Sequence, residues 1–359
     1  MQTRSVARST FWTLALLFST LACRAATRLI IPDTPTPFPP TPTATLTATP
    51  FPTLPPPTPT PIFEAACPSL LSDIMASATT EEETDEESSG SNSRFQDNQD
   101  FQFMVTYTLR DDKLSTRKDI FIPKDFDEEL SARSTHEWVW DYFAAVIPSQ
   151  ERNFLTEFSV MSDGRRHLLA AVSRTFEEPN NWGLRVDIQD ARNHYLLTFT
   201  LMHEFGHLLT LNSEQVALSK ALYANPDNEI IHERAVETCP QYFSHDGCST
   251  QESYISEFFN RYWAGFHAEW QEIDKTKGKP SYEGALHDFY KIYDDQFLTD
   301  YAATSPEEDI AESWVFFVLA PKPEPTSIAK EKILFFYEYP ELVQLRQQIL
   351  NNLCVEFPQ

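Results

Sequence analysis

His203-Glu204-Phe205-Gly206-His207 sets two histidines four residues apart, with a glutamate directly after the first. Positions i and i+4 share one face of a helix. Both imidazoles can therefore address a single zinc ion, while Glu204 stands beside the metal and accepts a proton from a water on it. The surrounding run 190–211 predicts a helix. Leu196, Leu197, Phe199, Leu201, Phe205, Leu208 and Leu209 give it apolar character on nearly every side, as in a buried helix, and Asp187 or Asp190 is placed to cap its start. Two histidines and a glutamate inside such a helix need partners, because unpaired buried polar groups are costly.

A catalytic zinc takes three protein ligands and leaves a fourth position to water. A His-x-x-Gly-x-x-His continuation, the metzincin solution, is absent: Thr210 and Ser213 occupy its glycine and final histidine positions. The next candidate lies in Tyr301-Ala302-Ala303-Thr304-Ser305-Pro306-Glu307-Glu308-Asp309-Ile310-Ala311-Glu312. Ser305 reads as a helix cap, Pro306 as its first residue, and acids fill the first turn. Glu308 and Glu312 share a face, and Ala311 beside them permits close approach of a second helix. One carboxylate can bind metal while the other accepts the free ring N–H of a ligand histidine. Glu307 points about 100° away from that face and is the weaker candidate.

The pairing of His-Glu-Phe-Gly-His with a later Glu-x-x-x-Glu helix resembles the gluzincins, zinc peptidases whose third ligand is a glutamate. It is most similar to the family of the anthrax lethal factor catalytic domain, and it also looks like certain bacterial zinc metallopeptidases. The resemblance covers 196–211 and 298–318. It implies that His203, His207 and Glu308 are the zinc ligands, that Glu204 is the general base, and that Glu312 orients a ligand histidine. Tyr301 would match a tyrosine that stabilises the oxyanion, although Ala302 stands where the family has glycine. The interval from His207 to Glu308 is longer than in compact gluzincins and is expected to fold as a helical insertion over 212–297. The implied activity is zinc-dependent hydrolysis of a protein or peptide substrate. A surface adhesion module on the same fold, or a zinc-storing envelope protein, would need the ligands but not Glu204.

The rest of the chain places this site in context. Phe101-Gln102-Phe103-Met104-Val105-Thr106-Tyr107-Thr108-Leu109 reads as a strand ended by Asp111-Asp112, and 119–122 as a second, short strand stopped by Pro123. A helix over 135–147 and strands at 154–161, 167–173 and 184–188 precede the His203 helix. The stretches 253–274, 282–297, 306–319 and 328–353 read as helices, the last interrupted at Pro340. The expected fold is α+β and zincin-like: a small N-terminal mixed sheet packed on the His-Glu-x-x-His helix, followed by a mainly helical C-terminal half. A peptide could be held by strand addition at the sheet's edge.

Residues 1–22, with Arg4 and Arg8 ahead of an apolar run, read as a signal peptide. Thr20-Leu21-Ala22-Cys23 resembles a lipoprotein cleavage box, which makes Cys23 the lipid-bearing residue and the only link to a membrane. Residues 32–61 hold 13 of the 26 prolines and predict an extended stalk within 23–63. Residues 64–94, with the acidic run 81–90, are expected to be a disordered spacer, and 95–359 the metallopeptidase domain. A net charge of −25 argues against nucleic acid as a partner, since binding its phosphates needs a basic patch. In an exported chain the four remaining cysteines predict disulfides, favouring Cys239 with Cys248 and Cys67 with Cys354. A Cys-His-Cys metal site around His245 is the lesser alternative.

Overall fold

Alternating apolar residues after position 101 build a five-stranded sheet in the computed structural model, which describes residues 67–88, 102–120, 127–162, 168–226 and 228–358. The expected signal peptide, Cys23 and the stalk lie outside the described residues. Among the described residues no helix is long and apolar enough to cross a membrane. The elements run α1 (Pro68–Ser88), β1 (Gln102–Arg110), β2 (Lys113–Asp119), α2 (Glu128–Ser131), α3 (Arg133–Val146), β3 (Leu155–Ser162), β4 (Ala170–Arg174), β5 (Trp182–Asp187) and α4 (His194–Leu211). Then follow β6 (Val216–Leu218), α5 (Lys220–Tyr223), α6 (Glu229–Thr238), β7 (Phe243–Ser244), β8 (Gly247–Ser249), α7 (Tyr254–Tyr262), α8 (His267–Asp274) and α9 (Tyr282–Ile292). The chain closes with α10 (Pro306–Leu319), α11 (Ile328–Phe335) and α12 (Pro340–Glu356).

The sheet order is β2-β1-β3-β5-β4. It is mixed: β3 and β5 pair in parallel, and the other neighbours are antiparallel. Val105, Tyr107, Phe158, Val160, Leu184 and Val186 are cross-strand partners and fully buried. They face α3, where Trp140 meets Phe158 at a ring separation of 5.8 Å. His136 ties the layers together: its Nε2–H donates to Leu130 O and its Nδ1 accepts from the Tyr107 hydroxyl, both at 2.8 Å. The fold class is thus α+β, with the sheet ahead of the His203 helix as expected.

Three differences from the sequence reading concern whole elements. The second strand is 113–119; Asp119 ends it, and residues 121 and 122 of the expected strand lie outside the described residues. Asp111 and Asp112 both take positive φ (48° and 63°), a two-residue turn that returns the chain at once. Only Leu114 of β2 is buried, so a polar edge strand carries almost no apolar signal. Next, the expected spacer 64–94 contains α1. Leu71 and Ile74 are buried in the core, with Leu70 and Met75 packed beside them. That is a short helical stripe, overshadowed in the sequence by the acids that follow. Folded structure is therefore present well ahead of residue 95, from Cys67 among the described residues. Finally, the interval after α4 includes a three-stranded sheet, β6-β8-β7, as well as helices.

Both favoured disulfides are present. Cys67–Cys354 ties the start of α1 to α12, and Cys239–Cys248 ties the end of α6 to β8. Arg174, the last residue of β4, fastens this small sheet to the large one. Its guanidinium donates to Asp246 at 2.8 Å, to Val216 O at 3.2 Å and to Leu211 O at 3.3 Å, and lies 5.1 Å over Trp182.

Behind α10 stands an aromatic cluster. Trp263 contacts Phe266, Trp270, Phe289 and Phe297. His267 stacks on Trp270 at 5.3 Å beside Phe259, and burial holds its pKa down to about 4. A folded-state value below the ordinary one of about 6.5 favours the neutral ring. His267 therefore contributes stability above pH 6.5 that is lost as pH falls toward 4. Thermal unfolding of His267→Phe across that range is expected to show the wild type losing ground to the variant on acidification. A constant difference between the two would contradict it.

Candidate metal centre

The central helix α4 starts at Asn193, whose side chain accepts from Leu196 N at 3.3 Å. Neither Asp187 nor Asp190 is the cap. Asp187 instead accepts from Gln189 N at 2.8 Å, and Asp190 opens a single 3-10 turn before the helix. From Leu196 to Thr210 only Phe199 escapes full burial, as the all-round apolar pattern predicts. Helix α10 starts at Ser305, whose Oγ accepts from Glu308 N at 3.2 Å, with Pro306 next. This capping turn orients Glu308 toward α4.

The two helices touch where their side chains are smallest. A Cβ on Gly206 would meet Ala311 Cα at 3.1 Å and Trp314 Cδ1 at 3.1 Å. Glycine is required here by close approach. Gly206→Ala would add helix propensity of about 1 kcal/mol, but it pushes against a helix backbone and a fully buried tryptophan. The expected outcome is a net loss of about 1–3 kcal/mol in chemical unfolding, with weaker metal binding as α10 is displaced. Unchanged metal affinity would contradict this view of the contact.

That contact brings three donor atoms together. His203 Nε2 lies 3.1 Å from His207 Nε2 and 3.0 Å from Glu308 Oε2, and the last two are 3.2 Å apart. Among the described residues they form the one group arranged to hold a metal ion. His203 Nδ1 lies 2.8 Å from Glu312 Oε1, and Glu312 Oε2 accepts from the Thr299 hydroxyl at 3.0 Å. His203 gives its Nδ1–H to Glu312 and turns Nε2 toward the other two donors. The donor set fits zinc, which takes imidazole nitrogens and carboxylate oxygens. In a tetrahedral shell with bonds near 2.0 Å, neighbouring ligand atoms stand about 3.3 Å apart, close to the edges of this triangle.

The electrostatics follow from burial. Burial would lower His203, but its hydrogen bonds to Glu308 and Glu312 outweigh it and hold the imidazole well above its ordinary value. Burial would raise Glu308, yet the charges of His207 and His203 keep it well below the usual carboxylate range. Burial pushes Glu204 up, although His207 and His203 pull against it. Glu204 also accepts a backbone hydrogen bond from Val172 of β4, the strand at the sheet's edge. Tyr301 opens a 3-10 turn, Tyr301–Thr304, with its ring 5.7 Å from that of His203. Burial and the charges of Glu308, Glu204 and Glu312 hold its phenol well above its ordinary pKa, so it stays a proton donor.

Every expected site residue therefore meets in one place: His203, Glu204, His207, Tyr301, Glu308 and Glu312. Glu307 faces away, hydrogen-bonded to Tyr242. His245 is exposed on the β7–β8 turn between the disulfide-bonded cysteines. Sequence reasoning missed Thr299, a single threonine in a loop with no periodicity to flag it. It also missed the pair behind Glu308. Lys332 Nζ donates to Asp309 Oδ2 at 2.5 Å with both side chains fully buried, and Trp263 Nε1 donates to the same oxygen at 2.7 Å.

The chain matches no protein-family profile, no curated protein and no solved structure.

Proposed function

We propose that the chain is an exported, zinc-dependent endopeptidase of gluzincin type, built on a zincin-like arrangement of sheet and helices. The observation that carries this reading is the convergence of His203, His207 and Glu308 from two helices, with Glu312 orienting His203 and Glu204 alongside. A binding or storage site needs the ligands alone. A buried glutamate beside them, held by the edge strand, is what hydrolysis requires.

Zinc at this position would supply a Lewis acid for the scissile carbonyl and bring the pKa of a water toward about 7. Glu204 takes the proton of the attacking water and delivers it to the leaving amine. Burial raises its pKa, which favours uptake of the water's proton. Tyr301 donates its hydroxyl proton in a hydrogen bond to the oxyanion. Glu312 holds the His203 ring in one tautomer. Strand β4 offers its backbone to an extended peptide and so sets the scissile bond over Glu204.

The two disulfides support an oxidising destination. With the signal-like residues 1–22 and Cys23 they favour an exported protein, lipid-anchored behind a proline-rich stalk. The purified chain is expected to cleave casein or a peptide library, to lose that activity to a chelator and to regain it with zinc. Stoichiometric zinc without cleavage of any peptide would point instead to a surface binding module.

A further inference from the structure

Building on the metallopeptidase reading, we propose that Thr299 is a positioning residue whose single hydroxyl couples the metal ligands to the turn carrying Tyr301. Its Oγ1 accepts from Ala302 N at 3.1 Å and donates to Glu312 Oε2 at 3.0 Å. The direction is fixed by chemistry. A backbone N–H can only donate, so the hydroxyl's lone pair faces Ala302 and its one proton is left for the carboxylate. The other Glu312 oxygen holds His203 Nδ1 at 2.8 Å, and His203 Nε2 belongs to the ligand triangle. An unbroken line of hydrogen bonds thus runs from the backbone of the Tyr301–Thr304 turn to the metal position.

Two features make the line stiff. Glu312 is only 4% exposed and Ala302 is fully buried, so both groups that Thr299 bonds have little access to water. Thr299 itself follows Phe297, which is 3% exposed and packed against Trp263 at 5.5 Å and Phe289 at 6.0 Å, with Lys332 Nζ 4.3 Å over its ring. The aromatic cluster that precedes α10 therefore reaches the metal site through two residues of backbone. On this view the long interval between His207 and Glu308 buttresses the site. If Thr299 merely capped the turn, its loss would change stability and leave metal binding alone.

The test uses the full chain as wild type, Thr299→Val, Thr299→Ala and Thr299→Ser. Zinc affinity is measured by competition with a chromophoric chelator, the absorption spectrum is recorded with cobalt, and kcat and KM are measured on one peptide. Valine keeps the shape and removes both hydrogen bonds; alanine serves if valine does not fold. Either is expected to weaken zinc binding by about 10–100-fold, to shift the cobalt spectrum, and to lower kcat more than it changes KM. Serine keeps the hydroxyl and is expected to stay within about twofold of wild type. Wild-type zinc affinity and an unshifted cobalt spectrum in the folded valine or alanine variant would overturn the proposal. A wild-type chain that binds no zinc would instead remove the metallopeptidase reading itself, and this proposal with it.

Discussion

Glu204→Gln is expected to keep the fold and the metal while peptide hydrolysis falls by about 10²–10⁴-fold, the usual worth of a positioned general base. Glutamine has nearly the same shape, and its carbonyl oxygen can still accept the Val172 N–H that Glu204 accepts now. What it lacks is a site for the water's proton. Glu204 is only 6% exposed, and burial disfavours its charged form. Removing that charge is therefore expected to leave thermal stability unchanged or slightly higher. Loss of activity with intact zinc and an intact melting temperature separates a base from a structural residue. Activity within a few-fold of wild type would remove Glu204 from the mechanism.

Lys332→Met is expected to be the most destabilising single change behind the site, costing about 3–5 kcal/mol. Lys332 and Asp309 are both fully buried, and removing the ammonium strands a carboxylate that water cannot reach. Burial already raises Asp309 to about 6 despite the lysine. Without the lysine its folded-state value rises further above the unfolded one near 3.9. A raised carboxylate costs most where the unfolded chain would ionise it, so the deficit grows as pH rises and shrinks near pH 5. Adding Asp309→Asn removes the stranded charge and still offers an oxygen to Trp263 Nε1, so the double variant is expected to recover most of the loss. Urea unfolding of the three proteins at pH 5 and pH 8 checks this. Equal stability of single and double variants would show that the pair is not coupled as its geometry requires. Because Asp309 follows Glu308, the single variant is also expected to bind metal less tightly.

The two helices that carry the candidate metal ligands are legible because each is announced more than once. Helix α4 has unbroken apolar character around its histidines. Helix α10 has Ser305, Pro306 and three acids at its start, and its bounds agree with the sequence reading. The spacing of Glu308 and Glu312, and the small Ala311, foretold the contact with α4 that Gly206 completes. Of the three possible cysteine pairings, the favoured one, with Cys239 and Cys248 closing a short loop, is the one observed. What failed to register was signal of low amplitude. Strand β2 buries a single leucine. The stripe of α1 is four residues long and precedes a run of acids. Asn193 caps α4, although Asp187 and Asp190 nearby carry the same capping signal in the sequence. Thr299 and the Asp309–Lys332 pair are products of tertiary packing, and no local pattern in the chain reports them.

Metal content measures the central claim most directly. The purified wild-type chain is expected to carry one zinc per molecule. Glu308→Gln is expected to lose it. Glu307→Gln, whose side chain faces Tyr242, is expected to retain it. Zinc retained by Glu308→Gln, or a wild-type chain that takes up no stoichiometric metal, would contradict the account.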